Sequence, residues 1–417
     1  MMGFDPHVNG WTNVAEGYMK YNPNAEIVVE PQGGQADMLA KYKASLASGS
    51  GGDLFTVPGW DVYEWAVTKQ IAPLSPNVMT YEDAKAKLFP EYILQAPIDD
   101  QLWAVGIPDP PGDAGLIVNA GALEEAGLEL IPQFANREQM LEYAQALTKR
   151  DGDNINTGGL SFREDNAGTY FLSYIADQGG VFWDNEKQEF NFNTPEAKAA
   201  AEFILGLYET EKVDSVLLPA ALEGLLQGTV SMAYMWPEFM PFASSAAPDF
   251  TFNFIMKPAF SGDSPAVFSH ADTWNAVIPG YAEDNAVAWD LMCYLASEEG
   301  QLLFLDANPG LSPLRSLVFE NEYYTTGKGA YLLPLIEAMK AGRFRYWGPF
   351  LDGSTIQYDI LWANLDAMLN GEQTVDETLQ KLTEQANNQT QQSRQRLPEA
   401  PDINMYFEGL PEDMQIK

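Results

Sequence analysis

The chain has 417 residues, which is more than one compact core normally holds and predicts two domains. Its 23 basic and 59 acidic residues give a net charge of −36. This charge excludes a nucleic-acid-binding surface and disfavours binding to anionic membranes, and solubility is its simplest role. Apolar residues make up 46%, and no apolar run reaches the roughly 18 residues of a membrane helix, so the composition is that of a globular protein.

The first third of the chain alternates between the periodicities of helices and strands. Apolar residues at helical spacing predict helices, and short β-branched runs predict strands. Asp61 is placed to cap the third helix. The predicted helices cover residues 11–20, 38–46 and 61–71, and the predicted strands cover residues 26–30, 53–57, 103–107 and 115–118.

The rest of the chain is more helical. Capping patterns mark three helix starts: Asn136 with Gln139, Thr194 before Pro195, and Thr374 with Glu377. From about residue 387 the composition turns to Gln, Asn, Pro and Asp, which predicts a tail without its own core. The predicted helices cover residues 137–149, 195–211, about 282–297, 330–341, 355–370 and 374–387, and the strands cover residues 229–235, 251–256 and 273–278.

The alternation of strands and helices predicts an α/β protein with largely parallel sheets. The proline-rich break at residues 108–113 is a natural crossover between two lobes. Cys293 is the one cysteine, so no intramolecular disulfide forms, and its apolar helical surroundings predict burial. The opening MMGFDPHVNGW has neither a basic segment nor a long apolar stretch, so we expect either a cytoplasmic protein or one whose targeting segment has been removed.

Motifs of enzymes and metal sites do not occur in the sequence. There is no G-x-G-x-x-G, Walker A, H-E-x-x-H or G-x-S-x-G pattern, and only His7 and His270 could serve a histidine-based site. Residues 151–156 begin like a calcium loop, but the fifth position is Ile155 and the sixth is Asn156, which favours a polar turn. A pair of acidic residues acting on glycosides stays open, because sequence spacing cannot reveal one.

Several tryptophans stand at predicted strand ends or in loops, beside turn residues and polar groups. They are Trp60, Trp236, Trp274 and Trp347. An aromatic face stacks on the C–H face of a pyranose while neighbouring polar groups bind its hydroxyls, and the same arrangement suits other small neutral ligands. Alternatively, these tryptophans pack between loops and contact no ligand. A second group lies in helical periodicity and is predicted to be core: Trp11, Trp65, Trp289 and Trp362.

Short segments follow one another in an order that resembles a known family. They are residues 42–49 with 52–55, 71–74, 103–108, 116–119 with 123–127, 228–236, and 371–377. Together they resemble the extracellular solute-binding proteins of bacterial ABC importers, the family that includes maltose-binding protein. No single segment is specific, but the order spans roughly residues 10–390.

The resemblance implies a type II periplasmic-binding-protein fold, with two α/β lobes, a hinge crossed more than once, and a ligand cleft that closes as a hinge. The expected lobes are residues 1–110 plus about 279–325, and residues 114–275 plus about 330–390; residues 391–417 form a C-terminal extension beyond the usual family end. Residues 1–4 supply only the end of the first strand. The resemblance also implies function in the periplasm or outside the cell, with a lipid anchor in the precursor as one option.

The resemblance and the aromatic pattern together select the candidate ligand-binding residues. Trp236 and Tyr170 stand near positions where relatives contact sugar, and Tyr358 aligns loosely with another such position. The polar candidates lie in the loop after the first strand, in the crossover, or beside Trp236. The full set is Trp236, Trp60, Trp274, Trp347, Tyr170, Tyr358, Asp5, His7, Asp109, Asp113 and Glu238.

The sequence therefore predicts the substrate-binding component of an ABC transporter, which captures a neutral mono- or oligosaccharide and delivers it to a membrane permease without chemistry. We expect a monomer with no cofactor, no metal and no nucleic-acid partner. Two alternatives stay open: a solute-binding protein for a non-sugar ligand such as a polyamine or other small cation, and a glycoside-active enzyme. The scarcity of arginine in the candidate loops disfavours anionic ligands.

Overall fold

The fold is given by a computed structural model of the chain. It describes residues 2–3, 7–89, 91–94, 101–109, 114–163, 167–237, 239–260, 268–270, 273–346, 351–400 and 402. The strands are β1 Met2–Gly3, β2 Glu30–Pro31, β3 Phe55–Pro58, β4 Val105–Gly106, β5 Gly115–Asn119, β6 Lys149–Asp151, β7 Asn154–Thr157, β8 Trp183–Asp184, β9 Glu189–Phe190, β10 Met232–Tyr234, β11 Phe252–Met256, β12 Phe268–His270, β13 Trp274–Val277 and β14 Phe344–Tyr346.

Helices make up most of the remaining regular structure. They are α1 Val8–Tyr21, α2 Gln35–Ser48, α3 Gly59–Val67, α4 Tyr81–Lys87, α5 Glu91–Leu94, α6 Ala120–Glu125, α7 Arg137–Leu147, α8 Ala167–Asp177, α9 Pro195–Glu209, α10 Ala221–Gln227, α11 Phe239–Ala246, α12 Ala286–Leu295, α13 Glu298–Ala307, α14 Arg315–Glu320, α15 Glu322–Thr325, α16 Leu333–Lys340, α17 Ala363–Leu369 and α18 Val375–Arg396, with 3₁₀ helices at Gly280–Ala282 and Ala330–Leu332 and a π-helix at Thr355–Trp362. Among the described residues, no helix combines the length and apolar character needed to cross a lipid bilayer.

The predicted helix starts are confirmed at the capping residues. Thr194 accepts a hydrogen bond from the backbone N–H of Ala197 at 3.2 Å, one residue before α9 begins at a proline. Thr374 and Glu377 form the full capping box of α18. Asp61 is a correction: α3 begins at Gly59, so Asp61 is its third residue and its carboxylate is used elsewhere, as described below.

Two sheets carry the fold. The first has the order β2-β1-β3-β13-β4, in which β1 runs parallel to β2 and β3, and β13 runs antiparallel to β3 and β4. The second has the order β10-β5-β11 and is antiparallel in both pairs. The expectation of largely parallel sheets is therefore wrong for the described pairs. The reason is topological: β13 enters the first sheet from the other lobe, at the edge where β1 and β3 end.

Two main hydrophobic cores correspond to the two lobes. One runs from Trp11 to Met339 and surrounds the first sheet. The other runs from Leu116 to Ala386 and covers one face of the second sheet, while a smaller cluster around Ile117 covers the opposite face. Apart from Ala259, which packs in the first core, the order of core residues along the chain gives three passages between the cores: after Ala114, after Phe260 and after Met339.

The hydrophobic packing assigns two segments to the first lobe that were expected in the second. Residues 274–275 and 332–339 were expected in the second lobe, but Trp274, Leu332 and Met339 all pack in the first core. The first segment belongs there because β13 is hydrogen-bonded inside the first sheet. The remaining lobe boundaries stay a prediction.

The C-terminal region is more ordered than its composition predicts. Helix α18 continues to Arg396, where a tail without a core was expected from about residue 387. Small residues at helical spacing face inward along this helix, which is how a Gln-rich and Asn-rich segment packs: they are Ala386, Thr390 and Ser393. Beyond the helix, Ala400 packs with Tyr63 and Leu351. Residues 403–417 lie outside the described part of the chain.

Candidate ligand-binding cleft

One edge of the first sheet faces the crossings between the lobes. Strands β1 and β3 end there, and β13 begins there, because Trp274 pairs with Pro58. Asn275 pairs with Gly106 of β4, from which the chain leaves toward the second lobe. This edge therefore joins the carboxyl ends of two parallel strands to two of the crossings, which is where open α/β sheets place ligands.

His7 and Trp274 meet at this edge of the first sheet. Both side chains are buried, and their rings lie perpendicular with centroids 4.8 Å apart. Phe304 also lies close to the imidazole, with ring centroids 6.0 Å apart. Burial lowers the pKa of His7 to about 3, so the imidazole is neutral at physiological pH. A neutral imidazole offers one donor and one acceptor rather than a charge.

The corresponding edge of the second sheet carries Trp236. The register pairs Gly115 with Met256 and Leu116 with Tyr234, so β5 begins here just after the first crossing and β11 ends here just before the second. Trp236 follows the end of β10 by two residues, and its indole Nε1 has no hydrogen-bond partner although only 7% of the side chain is exposed. A buried donor without a partner is rare in folded proteins.

Tyr170 lies behind this edge, inside the second core. It is fully buried on α8, its ring packs 5.1 Å from Tyr234, and its hydroxyl donates to the carbonyl of Gly115 at 3.0 Å. These contacts account for Tyr170 as a support of the edge, and ligand contact by this residue stays a prediction. Tyr358 is half-buried on the π-helix.

Asp109 marks the exit of the chain from the first lobe. It is buried, its N–H donates to Leu311 at 2.9 Å, and its carbonyl accepts from the Tyr92 hydroxyl at 3.0 Å. These contacts fix the backbone at the start of the first crossing. Asp5, Asp113, Glu238 and Trp347 lie outside the described residues, as does the side chain of Trp60, which is the second residue of α3.

Gln357 is a residue of this region that the sequence analysis missed. It lies on the π-helix between two buried isoleucines, Ile356 and Ile360, and only 2% of it is exposed. Both its amide nitrogen and its amide oxygen are without hydrogen-bond partners. The sequence signal was one of a few polar residues inside a largely apolar helical pattern, which by itself does not distinguish a buried position from an exposed one.

A cluster of charged and polar residues joins α3 of the first lobe to the C-terminal part of the chain. We call Asp61, Glu64, Asp352, Ser354 and Arg396 the interlobe polar cluster. The Ser354 hydroxyl donates to Asp61 at 2.8 Å, and the N–H of Asp352 donates to Glu64 at 3.1 Å. Arg396 contacts Asp352 at 2.6 Å and Glu64 at 3.6 Å. The cluster thus joins the helix that carries Trp60 to the segment that leads into the π-helix of Tyr358.

The carboxyl groups of the interlobe polar cluster differ in their affinity for protons. Burial and the neighbouring Asp352 raise the pKa of Glu64 to about 7, and burial raises the pKa of Asp61 to about 6. Burial opposes ionisation of Asp352 too, but hydrogen bonds from Ser393 and Gln389 hold its pKa below the ordinary value. Asp352 therefore carries the charge that Arg396 balances, and Glu64 takes the proton.

The described residues contain no group of three His, Cys, Asp or Glu side chains placed to hold a metal ion.

A comparison with curated protein sequences finds no match. Among solved structures, an ABC transporter solute-binding protein from Thermotoga lettingae bound with α-D-tagatose is 19% identical, with a TM-score of 0.74 over 93% of this chain and 98% of that chain.

Two further structures share the fold. The GacH receptor of Streptomyces glaucescens, solved unliganded and with acarbose, is 16% identical, with a TM-score of 0.75 over 94% of this chain and 98% of that one. The maltose/maltodextrin-binding domain MalE from Bdellovibrio bacteriovorus, bound to maltotriose, is 18% identical, with a TM-score of 0.71 over 94% and 99%. The profile of the bacterial extracellular solute-binding proteins matches residues 5–302. The chain therefore belongs to the family of bacterial extracellular solute-binding proteins.

Proposed function

We propose that this protein is the substrate-binding component of an ABC importer and captures a neutral carbohydrate between its two lobes. The observation that carries the proposal is the pair of crossover-facing edges, one with His7 and Trp274 and the other with Trp236. Aromatic rings, a neutral imidazole and an indole N–H without a partner suit a ligand with apolar C–H faces and many hydroxyls. The structural neighbours described above hold tagatose, acarbose and maltotriose, which supports the same ligand class here.

Calorimetric titration tests this proposal. Tagatose, maltose, maltotriose and acarbose serve as probes, with spermidine as the cationic probe. We expect one of the sugars to bind and spermidine not to bind. Binding of spermidine alone would favour the alternative of a cation-binding protein. Conversion of any oligosaccharide during long incubation, followed by chromatography, would favour the glycoside-active enzyme.

Delivery to the membrane belongs to the same proposal. The family is extracellular, and we propose a site of action in the periplasm or at the outer surface of the cell, where the loaded protein docks on the permease subunits. A lipid anchor in the precursor is compatible with this role. No catalytic residue and no cofactor enters the proposal.

Closure of the lobes is the first expected result. Three crossings allow a hinge motion, and a ligand held by both edges stabilises the closed form by mass action. Small-angle scattering with and without a saturating sugar should show a smaller radius of gyration in the complex. An unchanged radius at saturation would contradict closure.

A monomeric state is the second expected result. A net charge of −36 opposes self-association, and one cleft serves one ligand without a second copy. Sedimentation velocity over a hundredfold range of concentration should give the mass of one chain throughout. A dimer mass that persists at the lowest concentration would contradict it.

A further inference from the structure

The side chain of Gln357 is unlike the other well-buried glutamine amides of the described chain. Gln301 is fully buried, and its amide group donates to the carbonyls of Gly106 and Leu295 and accepts from the Ser312 hydroxyl. Gln357 is equally inaccessible, but neither amide atom has a partner. Within the described residues it is the one side chain with two such atoms. Burying a polar group without a hydrogen bond costs free energy, so a bound group is expected to supply the partners.

The position of Gln357 points to the cleft side of the second lobe. A Cβ atom built on Gly168, in the first turn of α8, would lie 3.2 Å from the Gln357 amide nitrogen and 3.3 Å from its oxygen. The same helix carries Tyr170, which holds the start of β5 and packs on Tyr234, two residues before Trp236. Gln357 thus lies beside the first turn of α8, and the same turn carries Tyr170, which contacts the crossover-facing edge that leads to Trp236.

The local backbone also sets Gln357 apart. It lies in a π-helix, Thr355–Trp362, which is directly followed by the α-helix α17. Hydrogen bonds from residue i to i+5 are rare in proteins and concentrate at functional sites. A glycine at position 168 leaves the amide room that any larger residue would fill. Packing alone would be served as well by an apolar side chain at position 357, since the flanking isoleucines are both buried.

We propose that Gln357 binds the solute through its amide, donating to one hydroxyl oxygen and accepting from a neighbouring hydroxyl. A carboxamide presents a donor and an acceptor side by side, which matches two adjacent hydroxyls of a sugar ring. The amide oxygen can also accept from an ammonium group, but the amide supplies no charge to balance a cation, so it suits a neutral polyol better than a polyamine. This inference rests on the proposed function and adds to it a residue that contacts the hydroxyls of the ligand.

The test compares Gln357→Met with Gln301→Met. Methionine is similar in length and removes the amide from either site. For Gln357→Met we expect affinity for the best-binding sugar of the panel to fall about tenfold, while the melting temperature of the ligand-free protein stays the same or rises. For Gln301→Met we expect the opposite: a lower melting temperature, because three hydrogen bonds are lost, and sugar affinity within about twofold of the wild type.

A second variant, Gly168→Ala, leaves Gln357 in place and changes the residue that packs against its amide group. The added methyl crowds both amide atoms of Gln357. We expect weaker sugar binding with no loss of helix stability, because alanine favours a helix over glycine. This variant keeps the inference open to refutation should Gln357→Met fold poorly.

Two results would overturn the inference. One is a Gln357→Met protein that binds the sugar within twofold of the wild type, which would leave a trapped water as the partner of the amide. The other is a ligand-free Gln357→Met protein that melts as early as Gln301→Met, which would mean that the protein itself satisfies the amide. A wild-type protein that binds no sugar would contradict the proposed function instead, and the melting comparison would still decide whether the amide lacks a partner in the protein.

Discussion

Replacing Trp236 by alanine is expected to weaken sugar binding by roughly 5- to 150-fold. The loss corresponds to about 1–3 kcal/mol, the range found for rings stacked on aromatic side chains in other complexes. The substitution would also remove the indole N–H, a donor that no protein group uses in the absence of ligand. Calorimetric titration of the best-binding sugar measures the change directly.

The burial of Trp236 adds a cost to stability that must be separated from the loss of affinity. The side chain packs in the second core, and truncating a buried aromatic residue to alanine destabilises proteins by roughly 3–5 kcal/mol. Trp183→Ala is the matched control, because Trp183 is buried in the same core but lies on β8, in a separate two-stranded hairpin. We expect both variants to melt earlier and only Trp236→Ala to lose affinity.

Trp236→Phe isolates the indole N–H. An aromatic ring remains and the ligand-free protein loses no hydrogen bond, so its melting temperature should fall much less than that of Trp236→Ala. Affinity should still fall by roughly 2- to 12-fold, the equivalent of one hydrogen bond of about 0.5–1.5 kcal/mol. If both Trp236 variants bind the sugar normally, Trp236 is a packing residue and the second lobe contacts the ligand elsewhere.

The sequence made the crossover-facing edges predictable because strand ends are local features. Trp236 and Trp274 each adjoin a short apolar run, Trp236 after the end of β10 and Trp274 at the start of β13, and both ends of a strand lie at an edge of its sheet whether the pairing is parallel or antiparallel. Gln357 could not be predicted from the sequence, because the feature that singles it out is not local. Its importance comes from the absence of a partner in three dimensions, and nothing in its neighbours along the chain encodes that.

Long-range contacts also explain the error at the C-terminus. Polar composition predicted a tail from about residue 387, yet α18 continues because small residues pack on one face and Arg396 reaches α3. Small side chains such as Ser393 leave no hydrophobic signal, and hydrogen bonding to Asp352 takes the place of apolar contact. The reach of the helix is thus fixed by the first lobe, which the local sequence does not specify.

The interlobe polar cluster predicts a dependence of stability on pH that Glu64→Gln should remove. In the unfolded chain Glu64 ionises near its ordinary pKa of 4.5, whereas in the folded protein burial and Asp352 raise its pKa to about 7. Below 4.5 both states hold the proton, and above 7 both have lost it. Between these values only the folded state holds it, so the contribution of Glu64 to stability falls as the pH rises.

Asp61 and His7 also titrate in ways that affect stability, so the comparison must be a difference between two proteins. Burial raises the pKa of Asp61 to about 6, so the contribution of Asp61 to stability also falls as the pH rises. The low pKa of His7 has the opposite effect and destabilises the fold as the pH falls below 6.5. Both residues are present in wild type and variant, and their effects largely cancel in the difference. What remains belongs to Glu64 and its coupling to Asp352.

The melting temperature of Glu64→Gln minus that of the wild type should therefore rise between about pH 4.5 and pH 7 and then stay level. A neutral amide can donate to Asp352 as the protonated carboxyl does, without acquiring a charge at higher pH. The expected gain over this interval is on the order of 1–3 kcal/mol, because one pKa unit corresponds to about 1.4 kcal/mol and Arg396 offsets part of the effect. Glu124→Gln, on an exposed position of α6, is the control and should give a flat difference. A flat difference for Glu64→Gln as well would mean that Glu64 is ionised in the folded protein throughout this range and that Arg396 balances both carboxylates.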